Sequence, residues 1–301
     1  MTSLDFGPLV LGGNTFGWTS SREESFAVLD AFVEAGGRSI DTADVYSAWV
    51  PGNSGGESET VIGEWFASRG RRDDVVIATK VFSLPERPGL SADNVRATVD
   101  DSLRRLQTDR IDLYYAHRDD QRVAQEEYVG VFDELVQAGK IVEAGASNFT
   151  ADRLRSAVSI AKAAGLTAFT VAQDQYNLVD RSFETSLRDT LQELGIVELP
   201  YSGLASGFLT GKYRPGQAVD SARAGGASAY LDDPANVELL GTLDAIAAER
   251  SVPVAAVALA WLRQQPTVGA PIASARTVEQ LPALVQSFGL ELDAEELARL
   301  A

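Results

Sequence analysis

The sequence predicts a single (β/α)8 barrel, and three observations lead to this prediction. The chain has 301 residues, a length at which an α/β barrel forms one domain. Short aliphatic or β-branched segments alternate with longer segments of helical periodicity from one end to the other. Seven of the short segments end on polar or ionisable residues. Strands that alternate with helices form a parallel sheet with right-handed crossovers, and eight such units close into a barrel.

The elements follow in a regular order. The predicted strands cover residues 8–12, 39–41, 75–80, 111–115, 141–146, 170–173, 196–201 and 268–272. The predicted helices cover residues 22–35, 57–69, 91–107, 125–138, 151–164, 184–194, 236–249, 254–265 and 278–288. Ser91 and Thr150 are typical N-cap residues, and Gly139, Gly165 and Gly195 stand where a helix ends on a residue with positive φ.

An open, doubly wound sheet is the alternative fold. It would lead us to expect a G-x-G-x-x-G turn after an early strand, and the segment LGGNTFG does not match that pattern. Neither a linker nor a sequence repeat divides the chain, so one domain covering residues 1–301 is expected. The longest irregular segment is residues 207–233, and a loop of this length in a small domain is usually a functional flap or disordered.

Composition excludes several classes of function. The chain has no cysteine, which excludes disulfides and thiolate chemistry, and a single histidine, which excludes histidine-rich zinc sites. A carboxylate site for magnesium or calcium stays open. The formal charge of -17 disfavours nucleic acid and anionic membranes as partners. The N-terminal sequence lacks a basic region ahead of an apolar stretch, so a cytoplasmic location is expected.

Polar residues at the strand ends indicate one active site. In a barrel, the ends of all strands open onto the C-terminal face, where barrel enzymes carry out their chemistry. Each residue alone is common at a solvated or structural position, but coincidence over seven strands is much less probable. The strand-end residues are Asp41, Lys80, His117, Ser147, Asn148, Gln173, Tyr201, Ser202 and Ser274.

The residue types at these ends suit proton transfer to a carbonyl oxygen. A tyrosine hydroxyl is a weak acid, and a neighbouring ammonium lowers its pKa, so we expect Lys80 to activate Tyr46. Asp41 can hold Lys80 by an ion pair, and His117 can hydrogen-bond to the substrate oxygen. The hydride must then come from a cofactor. A Schiff-base aldolase with Lys80 as nucleophile is the alternative chemistry.

The chain also resembles the aldo-keto reductases over nearly its whole length. The matching segments are LGGNTFGW, IDTADVYS, GGESETVIGEW, VVIATKV, SLRRLQTDRIDLYYAHRDD, ELVQAGKIVEAGASNF, QYNLVDR, LPYSGLASGFLTGKYR and PIASARTVEQL. The resemblance implies a barrel with the catalytic tetrad Asp41, Tyr46, Lys80 and His117, in which Tyr46 is the acid in carbonyl reduction. It implies no catalytic metal.

The resemblance further implies an extended nicotinamide cofactor across the barrel mouth. By position, the cofactor contacts are Asn14, Thr15, Asp41, Ser147, Asn148, Gln173, Tyr201, Ser202, Leu204, Ser206, Lys212, Ser274, Arg276 and Gln280. Arg276 suits a ribose 2′-phosphate, which favours NADPH. Ala273 stands where many relatives have lysine, which weakens the case for a strict NADPH preference. Leu284 stands where relatives often have an asparagine that meets the adenine. Residues 207–233 are expected to fold over the pyrophosphate.

The substrate is expected to be a small carbonyl compound. Trp18, Trp49 and Phe82 follow the first three predicted strands and are expected to form an apolar wall of the substrate pocket. Nothing in the sequence selects among aldehydes, ketones and sugars, or sets the oligomeric state. Potassium-channel β subunits resemble the same family, so a cofactor-binding regulatory protein is the alternative function.

Overall fold

Eight parallel strands form the centre of the protein. The computed structural model describes residues 2–217, 219 and 224–301. The strands are β1 Val10–Gly12, β2 Ser39–Asp41, β3 Val76–Val81, β4 Ile111–Ala116, β5 Ile141–Ser147, β6 Val171–Gln173, β7 Val197–Glu198 and β8 Ile272–Ala273. They lie side by side in the order β7-β6-β5-β4-β3-β2-β1-β8, and each neighbouring pair is parallel.

Backbone hydrogen bonds outside the regular strands join the two ends of this sheet. The Glu198 amide donates to the Thr267 carbonyl at 2.8 Å, and the Gly269 amide donates to the Glu198 carbonyl at 2.9 Å. The Ile272 amide donates to the Pro200 carbonyl at 2.9 Å. A side chain at Gly269 would come within 2.5 Å of Val197, so glycine permits this close approach. The sheet therefore curls into a (β/α)8 barrel, as the sequence predicts.

Helices alternate with the strands and cover the outside of the barrel. They are α1 Arg22–Glu34, α2 Glu57–Arg69, α3 Ala92–Leu106, α4 Gln125–Gln137, α5 Ala151–Ala164, α6 Leu187–Leu194, α7 Ala224–Ser228, α8 Pro234–Arg250, α9 Val254–Arg263, α10 Leu281–Val285 and α11 Ala294–Arg299. Ser21 begins α1 with a capping box, and Thr150 begins α5 by accepting a hydrogen bond from the Arg153 amide. Ser91 precedes α3 without a capping hydrogen bond from its side chain.

Proline explains where the predicted strands are too long. The first, seventh and eighth strands were predicted over residues 8–12, 196–201 and 268–272, but the regular ladders cover only Val10–Gly12, Val197–Glu198 and Ile272–Ala273. Pro8, Pro200 and Pro271 have no amide hydrogen to donate to a ladder. The predicted helix over residues 278–288 is shorter, and α11 was not predicted.

The described part of segment 207–233 contains more regular structure than the irregular loop that the sequence predicts. A 3-10 turn covers Ala205–Thr210, and α7 and a second 3-10 turn at Ala229–Asp232 follow. Phe208 and Tyr213 are fully buried, and the Phe208 and Tyr230 rings lie 5.3 Å apart. Arg223, another basic residue of this segment, lies outside the residues that the structure describes. Closure of the segment over a cofactor stays a prediction.

The apolar core has two layers. An inner cluster fills the barrel and contains Leu113, Tyr115, Val171, Leu199 and Ile272. A larger cluster packs the helices onto the outer face of the strands. Gly145 on β5 makes room inside the barrel, because a side chain there would come within 2.5 Å of the Tyr115 ring.

Within the described residues, no single helix is long and apolar enough to cross a membrane. The consecutive helices α8 and α9 meet the criteria of length and composition only when taken together, and they are bent at 98° to each other.

Candidate active site

A buried ion pair lies at the C-terminal ends of β2 and β3. Asp41 is the last residue of β2, and Lys80 stands one residue before the end of β3. Lys80 Nζ lies 2.6 Å from Asp41 Oδ2 and donates to the Thr42 carbonyl at 2.7 Å. Gln173, at the end of β6, donates from Nε2 to the other Asp41 oxygen at 2.8 Å. Both charges are thus paired and hydrogen-bonded, which a charge needs in the interior.

Tyr46 and His117 complete the predicted tetrad in space. Lys80 Nζ donates to the Tyr46 hydroxyl at 3.1 Å, and that hydroxyl lies 3.4 Å from Asp41 Oδ2. The Tyr46 and His117 rings have their centroids 6.4 Å apart. The structure therefore brings together four residues separated by up to 76 positions in sequence, Asp41 to His117.

The pKa of Tyr46 differs from the sequence prediction. Burial raises the pKa of Tyr46 to about 12, Lys80 opposes this shift, and Asp41 adds to it. We predicted a net decrease caused by Lys80, and this direction is wrong for the protein without ligands. Because Asp41 neutralises the ammonium, Lys80 cannot outweigh the loss of solvent around the phenol. The hydroxyl therefore keeps its proton at neutral pH.

The pKa values of Lys80 and His117 are shifted in opposite directions. Burial alone would lower the pKa of Lys80, but Asp41 and Tyr46 raise it above its usual value, so the amine stays charged. Burial, with the charges of Lys80 and Arg118, holds the pKa of His117 well below its usual value. A neutral imidazole can donate one hydrogen bond without adding a second positive charge to the site.

Asn148 connects the ends of β4, β5, β6 and β7. Its side-chain amide donates to the His117 carbonyl at 3.1 Å and to Ser147 Oγ at 2.8 Å, and the Tyr201 hydroxyl donates to its side-chain oxygen at 2.8 Å. Its backbone amide donates to Asp174 Oδ1 at 3.0 Å. Asn148 has φ 56°, a conformation that asparagine tolerates better than most residues.

The segment after β7 holds several residues in the left-handed region. Ser202, Ala205 and Ser206 have φ of 57°, 46° and 56°. Each such residue costs of order 1 kcal/mol, and strain of this kind concentrates at ligand-binding sites. Backbone turns with successive amides in this conformation form concavities that bind anions. Lys212 lies in the same segment and also lines the cavity described below.

The loop after β8 is joined to the loop after β1. Ser274 Oγ donates to Asn14 Oδ1 at 2.8 Å, and Thr15 Oγ1 donates to the Ala275 carbonyl at 3.3 Å. The Arg276 amide donates to Gln280 Oε1 at 2.9 Å. These contacts fix the backbone and leave the Arg276 guanidinium at the cavity wall.

A cavity of about 620 Å³ opens at this face of the barrel. Its volume is in the usual range for sites that bind small molecules and cofactors. It is lined by Tyr46, His117, Trp18 and every residue predicted to contact the cofactor, namely Asn14, Thr15, Asp41, Ser147, Asn148, Gln173, Tyr201, Ser202, Leu204, Ser206, Lys212, Ser274, Arg276 and Gln280. Lys80 lies behind Asp41 and Tyr46, outside this lining.

The predicted apolar wall is only partly present. Trp18 lines the cavity. Trp49 packs edge-on against Trp18 and Tyr46, with centroids 5.6 Å and 6.2 Å away, but it is 49% exposed and does not line the cavity. Phe82 does not line it either; it has φ 140° and packs against the core. We predicted these rings at the cavity because they follow the first three strands. The direction of the backbone after each strand decides where a ring lies, and strand order does not give that direction.

Some lining residues were missed by the sequence analysis. Arg118, Thr210 and Pro253 line the cavity, and we had assigned a ligand contact to none of these three residues. Arg118 follows His117 directly, so its position next to the tetrad was the available signal.

A second pair of ionisable side chains, partly buried Asp174 and fully buried Glu198, lies beside β6 and β7. Glu198 is fully buried, and its Oε1 accepts a hydrogen bond from the Asp174 amide at 2.7 Å. Among the described residues, no lysine or arginine forms an ion pair with Asp174 or Glu198, and Glu198 Oε2 has no partner. Burial raises the pKa of both carboxyls, and the charge of Asp174 raises that of Glu198 further.

The sequence comparisons identify the family. A model of the Aldo/keto reductase family matches residues 8–301, so the chain belongs to this family. Members of this family are oxidoreductases that generally use NAD(P)H, and the family's general activity is carbonyl reduction.

Three relatives illustrate the similarity. The chain is 33% identical to the uncharacterized oxidoreductase YrpG of Bacillus subtilis, over 99% of this chain and 92% of that protein. It is 34% identical to the norsolorinic acid reductase stcV of Emericella nidulans, over 99% of this chain and 78% of that protein. It is 30% identical to the aryl-alcohol dehydrogenase GME11368 of Pestalotiopsis microspora, over 99% of this chain and 79% of that protein.

Proposed function

We propose that this protein transfers a hydride from NADPH to the carbonyl carbon of an aldehyde or ketone, with Tyr46 as the general acid. The observation that carries the proposal is the hydrogen-bonded chain from Asp41 through Lys80 to the Tyr46 hydroxyl, which ends at the cavity. Relatives named as a reductase of norsolorinic acid and as an aryl-alcohol dehydrogenase support the interconversion of carbonyls and alcohols.

The residues divide the chemistry as follows. A bound nicotinamide cofactor would supply the hydride. The Tyr46 hydroxyl holds a proton at neutral pH and donates it to the substrate oxygen as negative charge develops there. Lys80 stays charged, so it can stabilise the phenolate that remains. Neutral His117 lines the same cavity and can orient the carbonyl oxygen by a hydrogen bond.

The cavity fits a cofactor that carries phosphates. The left-handed backbone at Ser202 and Ser206 and the Lys212 ammonium are suited to a pyrophosphate. Tyr201, whose hydroxyl is held by Asn148, offers a ring for stacking. Arg276 would bind a ribose 2′-phosphate with its planar fork. These residues would hold NADPH along the β7 and β8 side of the mouth.

The charged state of Lys80 argues against the aldolase alternative. A Schiff-base nucleophile must be a neutral amine, whereas Asp41 and Tyr46 raise the pKa of Lys80. The regulatory alternative, in which the cofactor is bound without turnover, predicts no carbonyl reduction.

Tyr46→Phe tests the catalytic role directly. We expect this variant to bind NADPH as the wild type does, measured by a fluorescence titration, and to lose carbonyl reduction by about 100-fold or more, the lower range for general acids. Turnover near that of the wild type would contradict the role of Tyr46. Binding of NADPH with no turnover in the wild type, over a panel of aldehydes, would favour the regulatory alternative.

Arg276→Ala tests the cofactor preference. Loss of charge-assisted hydrogen bonds should weaken NADPH binding by about 1–3 kcal/mol and leave NADH binding nearly unchanged. Lys162→Ala, which removes an exposed charge on α5, is the matched control. Equal losses for the two cofactors would show that Arg276 does not bind the 2′-phosphate.

A further inference from the structure

The basic residues that lack ion pairs are concentrated at the cavity. Among the described residues, the lysines and arginines without a carboxylate within ion-pair distance are Arg118, Lys162, Lys212, Arg263 and Arg276. Arg118, Lys212 and Arg276 line the cavity. This is notable in a chain with 43 acidic and 26 basic residues, where acidic partners are abundant.

The other two have ordinary explanations. The Arg263 guanidinium donates to the Ser287 and Leu290 carbonyls, at 3.3 Å and 2.6 Å. Lys162 is exposed on the outer surface of α5. Apart from Lys162 on the outer surface, the basic groups that neither a carboxylate nor a backbone carbonyl binds line the cavity, within the part of the chain that the structure describes.

Arg118 lies on a different side of the mouth from Lys212 and Arg276. Lys212 follows β7 and Arg276 follows β8, whereas Arg118 follows β4, directly after His117. In the strand order, β4 and β8 are separated by β3, β2 and β1. Lys212 and Arg276 would bind the phosphates of the proposed cofactor. Arg118 would then be available to bind another anion beside the tetrad.

The acids next to Arg118 in sequence are already occupied. Asp119 accepts two hydrogen bonds from Arg153, at 2.7 Å and 2.8 Å. Asp120 pairs with Arg122 at 2.9 Å and accepts from the Leu90 amide at 3.0 Å. The local structure thus diverts both nearby carboxylates to other arginines. Arg118 keeps an exposed guanidinium, which a carboxylate could bind in two places.

We infer that the physiological substrate is an aldehyde or ketone that carries a carboxylate, and that Arg118 is the residue that binds this carboxylate. The inference rests on the proposed function and specifies its substrate class. A protein with a formal charge of -17 repels an anionic substrate at long range, so productive binding requires a local cation. With the carboxylate on Arg118 of the β4 loop, the carbonyl would lie toward His117 and Tyr46.

A matched pair of aldehydes tests the inference in the full chain with saturating NADPH. 4-Carboxybenzaldehyde carries the anion, and methyl 4-formylbenzoate has a similar shape without the charge. We expect the wild type to prefer the acid in kcat/KM, mainly through a lower KM. Arg118→Ala should reduce the ratio of the acid's kcat/KM to the ester's by about 10- to 100-fold, the range for hydrogen bonds to a charged group. Arg118→Lys should restore part of it.

Lys162→Ala is the control, because it makes the same change in net charge on α5, outside the cavity lining. A wild-type preference for the ester, or equal losses for both aldehydes in Arg118→Ala, would overturn the inference while the proposed function stands. Reduction of neither aldehyde would count against the proposed function instead. In that case calorimetric binding of 4-(hydroxymethyl)benzoate decides about Arg118, since binding unchanged by Arg118→Ala would overturn its role.

Discussion

Two pairs of ionisable side chains at the strand ends of the barrel, Asp41–Lys80 and Asp174–Glu198, differ in how their charge is balanced. On the β2 and β3 side, Lys80 neutralises Asp41 at 2.6 Å, and Gln173 and Thr42 provide further hydrogen bonds. On the β6 and β7 side, Asp174 and Glu198 are two acids without a basic partner among the described residues. Burial of an ionised pair requires an opposite charge, whereas two acids can be buried if at least one keeps its proton.

The difference teaches that the same strand-end position serves two purposes. The Asp41–Lys80 pair holds two opposite charges 2.6 Å apart and connects directly to the Tyr46 hydroxyl. The Asp174–Glu198 pair instead holds backbone, because Asp174 accepts from the Asn148 amide and Glu198 accepts from the Asp174 amide. The stability of the first pair should therefore depend on the presence of both partners, and that of the second pair on pH.

The largest expected effect comes from breaking the balanced pair. Lys80→Met should lower the free energy of unfolding by about 3–5 kcal/mol, because it leaves the Asp41 carboxylate buried without a cation. Urea unfolding at pH 7 measures this change. The double variant Lys80→Met with Asp41→Asn should recover much of the loss, and Lys162→Met is the exposed control. A loss below about 1 kcal/mol in the single variant would mean that the pair does not need its charge balance.

A smaller effect of opposite sign is expected at the acidic pair. The raised pKa of Glu198 means that the folded state holds the proton more tightly than the unfolded state. Its stability contribution is complete below the ordinary glutamate pKa and is lost as the pH rises through the raised one. Glu198→Gln should therefore raise the melting temperature at pH 8 by about 2 °C or more, the shift that ~1 kcal/mol gives in a large domain.

Glu198→Gln should change the melting temperature little at pH 4, because the glutamate of the wild type and the glutamine of the variant are both uncharged there. Glu291→Gln, at an exposed glutamate, supplies the comparison at each pH. An equal shift at pH 4 and pH 8 would assign the effect of Glu198→Gln to packing rather than to protonation.

The smallest effect is expected at Asp44, a buried acid two residues before Tyr46. Burial and then Glu59 raise the pKa of Asp44 to about 7, and Arg105 and the amides of Phe82 and Val45 only partly oppose this. The associated stability is present below about pH 4 and is lost as the pH rises through about 7. Asp44→Asn should reduce the decline in unfolding free energy between pH 5 and pH 8 by about 1 kcal/mol, because the asparagine amide does not titrate in this range.

Chemical unfolding at the two pH values measures this decline, with Asp232→Asn at an exposed position as the control. An unchanged decline would show that Asp44 does not contribute to the pH dependence of stability.

The fold was predictable because its signals are local. Alternation of short apolar segments with helical periodicity gave the barrel, and glycine at 165 and 195 gave the helix ends, which have φ of 68° and 71°. The strand lengths near Pro8, Pro200 and Pro271 were wrong because we extended the strands over prolines, which have no amide hydrogen to donate to a ladder. Val268 belongs to the closure of the barrel through a single bridge to Glu198, which no local pattern reveals.

By itself, the sequence determined which residues are the candidates for the chemistry, because strand order in a barrel brings strand ends to one face. Asp41, Lys80 and His117 were predicted in this way, and the family resemblance agreed and added Tyr46 to complete the tetrad. Only the tertiary structure decided their protonation, since the pKa of Tyr46 depends on how much solvent is removed and on whether Asp41 neutralises Lys80. It also decided that Arg118 keeps a free guanidinium within the described chain, because Arg153 and Arg122 take the neighbouring carboxylates.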